Sequence, residues 1–243
     1  MQVKKILVIL FSLVFFLRIQ DGVAAEPEDS IAVAIVYDTS GSMGELVPDS
    51  SGKKSPKYVI ANRALLSVVN RLQEVVSSKT APCKVWCNLV VFEGSGGREA
   101  VKFGEFNHDV LKSWITNFST PSGATPLGEA IRVAAKPLLS AKSKARHILV
   151  LTDGVNTAGA APSAVISELQ TAARRGGGDV SLYFIAFDVA AKVFDPVKKL
   201  NAMVVGAANE KELNTQLDFI LDEKILLEAE EPAVKTDKNS KTK

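Results

Sequence analysis

Histidine and cysteine are scarce in this chain of 243 residues, with two of each. Cys83 and Cys87 share the stretch A-P-C-K-V-W-C-N, and a metal site built on that pair lacks partners, since His108 and His147 are the only histidines. Positions four apart on an extended strand lie ~13 Å from one another, beyond disulfide reach. A bridge would need Cys83 to fold back in the turn after Pro82; otherwise the pair is two packed thiols. Excess charge of either sign is scarce too. The formal net charge is +2, which gives no electrostatic case for gripping nucleic acid. A G-x-S-x-G elbow is absent. Serine nucleophiles need a base within reach, and the two histidines open a surface helix and a strand.

Long apolar runs are also missing, with one exception. Ile6–Leu17 is apolar but for one Ser and follows the basic start Met1–Lys5. Twelve residues are too few to cross ~30 Å of hydrocarbon as a helix. Val23-Ala24-Ala25 then offers small residues to a signal peptidase, before the polar Glu26-Pro27-Glu28-Asp29. The expectation is a removable export signal over 1–25, with an uncleaved anchor as the alternative. That segment carries the whole net charge, so the 218 residues after it are neutral. They suit one domain, with a leader at 26–30 and a tail at 227–243 too polar to order itself. Few cysteines and an export signal point to a periplasmic or secreted protein. The N-F-S sequon at Asn117 has meaning only in a eukaryotic secretory host.

What is present is a regular alternation. Ile31–Tyr37 is apolar on both faces, as in the middle of a covered parallel sheet. Glu45–Lys57 is rich in Ser, Gly, Pro and Lys and reads as a loop. A helix follows, with Leu65, Val68, Val69, Leu72, Val75 and Val76 on one face. Lys84–Phe92 reads as a strand ended by E-G-S-G-G, and Val101–Phe106 as a short edge strand. A helix opens at N-H-D, another at T-P-L-G-E-A with Leu127, Ile131, Ala134 and Leu138 buried. His147–Gly154 is a further strand, then a helix near Ser163–Arg175, strands at Val180–Phe187 and Ala202–Val205, and a last helix capped by Asn209 with Glu212 in the box position. Strands alternating with helices predict an α/β fold: a doubly wound, mostly parallel, Rossmann-like sheet, with ligands outside the carboxyl ends of its strands.

Two strand ends carry the chemistry. D-T-S-G-S-M-G, Asp38 to Gly44, places oxygen ligands at alternate positions, with Gly41 and Gly44 allowing a tight turn. L-T-D-G brings Asp153 to the same rim. Two carboxylates balance a divalent charge, and the hydroxyls of Ser40 and Ser42 add neutral oxygens of the kind Mg²⁺ accepts. Thr125 in G-A-T-P-L-G is placed to give a third hydroxyl, although Thr before Pro is also a good helix cap.

Together, D-T-S-G-S-M, T-P-L-G-E-A and L-T-D-G resemble the von Willebrand factor A (VWA) domain over roughly residues 29–226. The resemblance implies a metal-ion-dependent adhesion site of Asp38, Ser40, Ser42, Thr125 and Asp153. It also implies a cation, Mg²⁺ or else Mn²⁺ or Ca²⁺, with one position open for a partner's Glu or Asp. The implied function is an exported, metal-dependent protein-binding module of the bacterial type, and not an enzyme. The chain departs from the compact pattern at Glu45–Lys57, where Lys53, Lys54 and Lys57 would steer an acidic partner or simply lie in solvent. Two alternatives stand. One is a scaffold that binds through its helical faces above an idle site. The other is a Mg-dependent hydrolase, which would want a second Asp where Ser40 stands.

Overall fold

The computed structural model describes residues 30–78, 83–176 and 178–230. The expected signal segment, most of the leader and residues 231–243 lie outside the described residues. The elements run β1 (Ser30–Tyr37), β2 (Leu46–Pro48), β3 (Lys54–Pro56), α1 (Lys57–Val76), β4 (Lys84–Glu93), β5 (Gly96–Glu105), α2 (His108–Asn117) and α3 (Leu127–Ser140). They continue with β6 (Ala145–Thr152), α4 (Pro162–Arg175), β7 (Ser181–Phe187), α5 (Asp195–Lys198), β8 (Met203–Ala207), α6 (Glu210–Ile220) and α7 (Leu227–Glu230). A six-stranded sheet has the order β5-β4-β1-β6-β7-β8, parallel except for the antiparallel edge strand β5.

The centre of the sheet is β1, whose eight residues are all buried. Its pleat sends Ile31, Val33, Ile35 and Tyr37 toward α1, α2 and α6, while Ala32, Ala34 and Val36 face α3 and α4. Small residues on the second face meet Ala130 and Ala134 of α3, also fully buried. Each buried Leu or Ile side chain contributes about 1.5–3 kcal/mol of transfer free energy. That alternation puts β1 between two apolar layers and leaves its polar end, Asp38, at the rim.

Four features differ from the sequence reading. E-G-S-G-G does not end the sheet contribution; it turns β4 back into β5, with Gly94 at φ +59°. Gly97 then lets α3 lie against the strand, since a Cβ there would stand 2.6 Å from Ala130 Cα. Glycine read as a breaker is here a site of close approach. The Glu45–Lys57 loop holds the β2–β3 hairpin, unseen because three-residue strands that each end in Pro carry no alternation. The α1 stripe begins earlier, with Ile60, Ala61 and Ala64 buried and Val75 and Val76 only partly so. Finally, the chain stays helical through Glu230, into the stretch expected to lack structure. Ile225 and Leu226 still pack on the core and hold it there.

Cys83 and Cys87 are free, buried thiols, and burial pushes the Cys87 pKa up to about 12.

Candidate metal centre

The centre grows from the carboxyl ends of β1 and β6. Asp38 N–H donates to Leu151 O at 3.0 Å, which seats it in the sheet. Its side chain is fully buried. Oδ1 accepts from Ser40 N–H at 2.8 Å and Oδ2 from the Thr152 hydroxyl at 2.5 Å. Thr39 points the other way: its Oγ1 accepts from Phe92 N–H at 3.1 Å and so ties the turn to β4. The alternation of D-T-S-G-S is thus a division of labour, with every second residue facing the rim.

Ser40 opens a single 3-10 turn, Gly41–Gly44. Within it, the hydroxyls of Ser40 and Ser42 lie 3.1 Å apart, and Ser42 Oγ donates to Asp153 Oδ1 at 2.8 Å. The α2–α3 loop is laced onto this turn, since Gly41 N–H donates to Gly123 O and Ser122 N–H to Thr39 O. That lacing delivers Thr125. The cap of α3 is Pro126, without a side-chain cap bond, so Thr125 does not play the capping role its sequence allowed. Its backbone pairs with Thr157 instead, N–H to Thr157 Oγ1 at 2.9 Å and O from Thr157 N–H at 3.0 Å. Asn156 Oδ1 meanwhile accepts from Gly128 N–H at 3.1 Å. Gly154 lies between two of the hydroxyls: a Cβ there would stand 3.8 Å from Thr125 Oγ1 and 3.9 Å from Ser42 Oγ. All five sequence-selected residues therefore converge on one rim, four of them buried and Ser42 half-buried.

Lys57 corrects the picture of an exposed basic loop. It is 3% exposed, because α1 begins with it directly beneath the hairpin. Its Nζ lies 2.8 Å from Glu45 Oε2, 3.0 Å from Asp188 Oδ2 and 3.1 Å from Asp153 Oδ2. Burial opposes its charge, but the hydrogen bonds to Glu45, Asp188 and Asp153 prevail and push its pKa up. Asp188, at φ +53°, ends β7 as a partner of Lys57. Sequence reasoning missed Thr152 and put Lys57 in a basic loop rather than beside Asp153. Thr152 was legible in principle, as a hydroxyl just before the rim carboxylate. Lys57 was not, since its partners come from three separate segments.

The donor set suits a hard cation. Among the described residues, no group of three or more His, Cys, Asp or Glu is arranged to hold a metal. The site instead offers two carboxylates and three hydroxyls, all oxygen, as Mg²⁺, Mn²⁺ and Ca²⁺ prefer. Burial pushes the Asp38 carboxyl up to about 6, against the hydrogen bonds from Ser40 and Thr152. A buried carboxylate of this kind is relieved by an adjacent cation. Two surface grooves, of about 680 and 420 Å³, are lined by α2–β5 and α3–α4 side chains and contain none of the five residues.

A parallel sheet, helices on both faces and an Asp-x-Ser-x-Ser turn at its rim define a class of metal-site α/β domains. The model of the von Willebrand factor type A domain matches residues 32–218, and the chain belongs to that family. No curated protein matches it significantly. Among solved structures, the PilB minor pilin of Streptococcus sanguinis aligns at 18% identity and TM-score 0.62, covering 85% of this chain and 63% of that one. The VWF domain of the type V pili tip protein Mfa5 of Porphyromonas gingivalis aligns at 13% identity and TM-score 0.62, covering 87% and 99%. Proximal thread matrix protein 1 of the mussel byssus, solved with zinc in its adhesion-site motif, aligns at 17% identity and TM-score 0.57, covering 82% and 49%. The chain thus spans about half to two thirds of the pilin and byssus chains. At these identities the likeness is one of fold.

Proposed function

We propose that this protein is an exported adhesion or assembly module that binds an acidic group of a partner protein through a divalent cation. Asp38, Ser40, Ser42, Thr125 and Asp153 would hold the ion, Mg²⁺ or else Mn²⁺ or Ca²⁺, each of which accepts an all-oxygen set. The observation that carries this is the hydrogen-bonded chain Ser40–Ser42–Asp153, beside a fully buried Asp38, at the end of two adjacent parallel strands. When bound, the cation would supply a Lewis-acidic position for an external carboxylate. The protein's own part is to orient: Thr152 and Ser40 N–H hold Asp38, while Ser42 holds Asp153 Oδ1. Neither histidine belongs to this set, so no imidazole base faces its hydroxyls, and its carboxylates are the groups that would balance the cation, which favours binding over catalysis. Pilin and pilus-tip structures of the same fold support a place outside the cytoplasm, and 1–25 would be the signal that takes the chain there, periplasmic or secreted.

Calorimetric titration of Mg²⁺ and Mn²⁺, beside an Asp38→Ala, Asp153→Ala double variant, tests the site. One-site binding present in the wild type and lost in the variant supports it. Capture of an acidic partner, with and without chelator, tests the function. Capture indifferent to chelator would favour the scaffold reading, for which the apolar α3–α4 groove of Val133, Leu139, Val165 and Leu169 is the surface.

A further inference from the structure

The most buried cation beside the candidate centre has no part in the five-residue set, and the inserted hairpin is what brings it there. Glu45 N–H donates to Ser42 O, Leu46 pairs with Pro56, and Lys57 N–H donates back to Glu45 O at 2.9 Å. The insertion leaves the metal turn and returns to the same point, so residues 12 apart in sequence stand side by side. Lys57 then enters α1 with its side chain 4% exposed and its Nζ among three carboxylates from three segments. The three protons of an ammonium match three acceptors.

We propose that Lys57 is a positioning residue of this centre, a resident cation that claims Asp153 Oδ2 and holds divalent affinity down. The inference rests on the reading that the rim takes a divalent ion. With Oδ2 committed to Lys57, Asp153 presents to the centre the oxygen that Ser42 already orients, Oδ1. An ammonium 3.1 Å from a ligand oxygen repels an incoming dication and shares the carboxylate with it, and burial makes both effects strong. Asp153 then neutralises less of the dication's charge. More is left for an external carboxylate, so the ion is held loosely alone and firmly once a partner acid completes the site. Glu45 and Asp188 act through Lys57, as the other two acceptors that fix the ammonium.

Titration of Mn²⁺ into the full-length product, as processed by the expressing cell, tests this by calorimetry. Wild type, Lys57→Met and Lys57→Arg are compared, with Asp38→Ala, Asp153→Ala as the blank. Lys57→Met is expected to bind Mn²⁺ about ten-fold more tightly, since it removes a competing charge, and Lys57→Arg to stay within about three-fold of wild type. In chelator, Lys57→Met should melt below wild type, and Mn²⁺ should raise its midpoint by more. If Lys57→Met does not fold, Lys57→Gln, which keeps polarity without charge, carries the same expectation. Unchanged or weaker affinity in the neutral variant, with wild-type binding intact and lost in the blank, overturns this inference alone; a purely structural lysine would give that result. Traces equal to the blank for wild type and neutral variant overturn the metal reading and the inference together. A silent wild type beside a binding Lys57→Met supports the inference, with the lysine masking the site entirely.

Discussion

Acid should destabilise this protein through one residue on the central sheet. His147 lies in β6, fully buried, and among the described residues neither ring nitrogen has a hydrogen-bond partner. Its ring faces Tyr183 at 6.0 Å between centroids. The Glu228 carboxylate, on a side chain 46% exposed, is 3.8 Å away, outside hydrogen-bond range and screened by solvent. Burial therefore dominates and pushes the pKa down from 6.5 to about 4. Because the folded value lies below the unfolded one, the unfolded chain takes up the proton first as pH falls. The contribution to stability is complete above ~6.5 and is lost progressively as pH drops through about 4. At ~1.4 kcal/mol per decade, that interval is worth roughly 3 kcal/mol, a large share of the 5–15 kcal/mol typical of a domain. Urea unfolding of wild type and His147→Leu at several pH values between 7.5 and 4 isolates it, because every other titrating group cancels in the difference. The variant should match or exceed wild type at pH 7.5 and gain on it by roughly 3 kcal/mol toward pH 4. Parallel stability profiles would refute the reasoning, and would mean that Glu228 or water satisfies the ring.

Other outcomes follow from particular contacts. Thr125→Ala should weaken Mn²⁺ binding by about ten-fold while leaving the unfolding midpoint nearly unchanged, since the bonds of Thr125 to Thr157 are made by its backbone. An equal loss of stability would return Thr125 to a structural role. Gly128→Ala should destabilise by about 1–3 kcal/mol in urea unfolding, because its Cβ would overlap the Ala160 carbonyl oxygen; a neutral result would mean that the loop before α4 yields freely. Cys83 and Cys87 should resist a thiol reagent in the native state and both react in denaturant, with reductant leaving the melting point unchanged. A reductant-sensitive melting point would show a bridge instead.

Much of the fold was legible because the helical and strand periods are local properties. β1, β6 and β7 announce themselves as doubly apolar runs, and such runs are stable only between two helical layers. The candidate site was legible for the same reason in part: Asp38, Ser40 and Ser42 lie within one turn, and Asp153 follows a strand that must end at the same rim. Asn209 as a cap of α6, with Glu212 beside it, was likewise readable from four consecutive residues. Where local signals conflict, sequence loses its grip. Gly96 and Gly97 look like a terminus, yet they begin an edge strand because α3 must pass close above.

Taken by itself, the sequence determined the alternating sheet-and-helix class, the rim on which the carboxylates and hydroxyls gather, and the family pattern that unites them. Only the tertiary structure moved the cap of α3 from Thr125 to Pro126, turned two cysteines into packed thiols, and moved Lys57 from a solvated loop to the centre of three carboxylates. The physical reason is the same in each case. Periodicity and turn chemistry act over a few residues, whereas burial and charge pairing depend on which distant segments the closed sheet brings within about 3 Å.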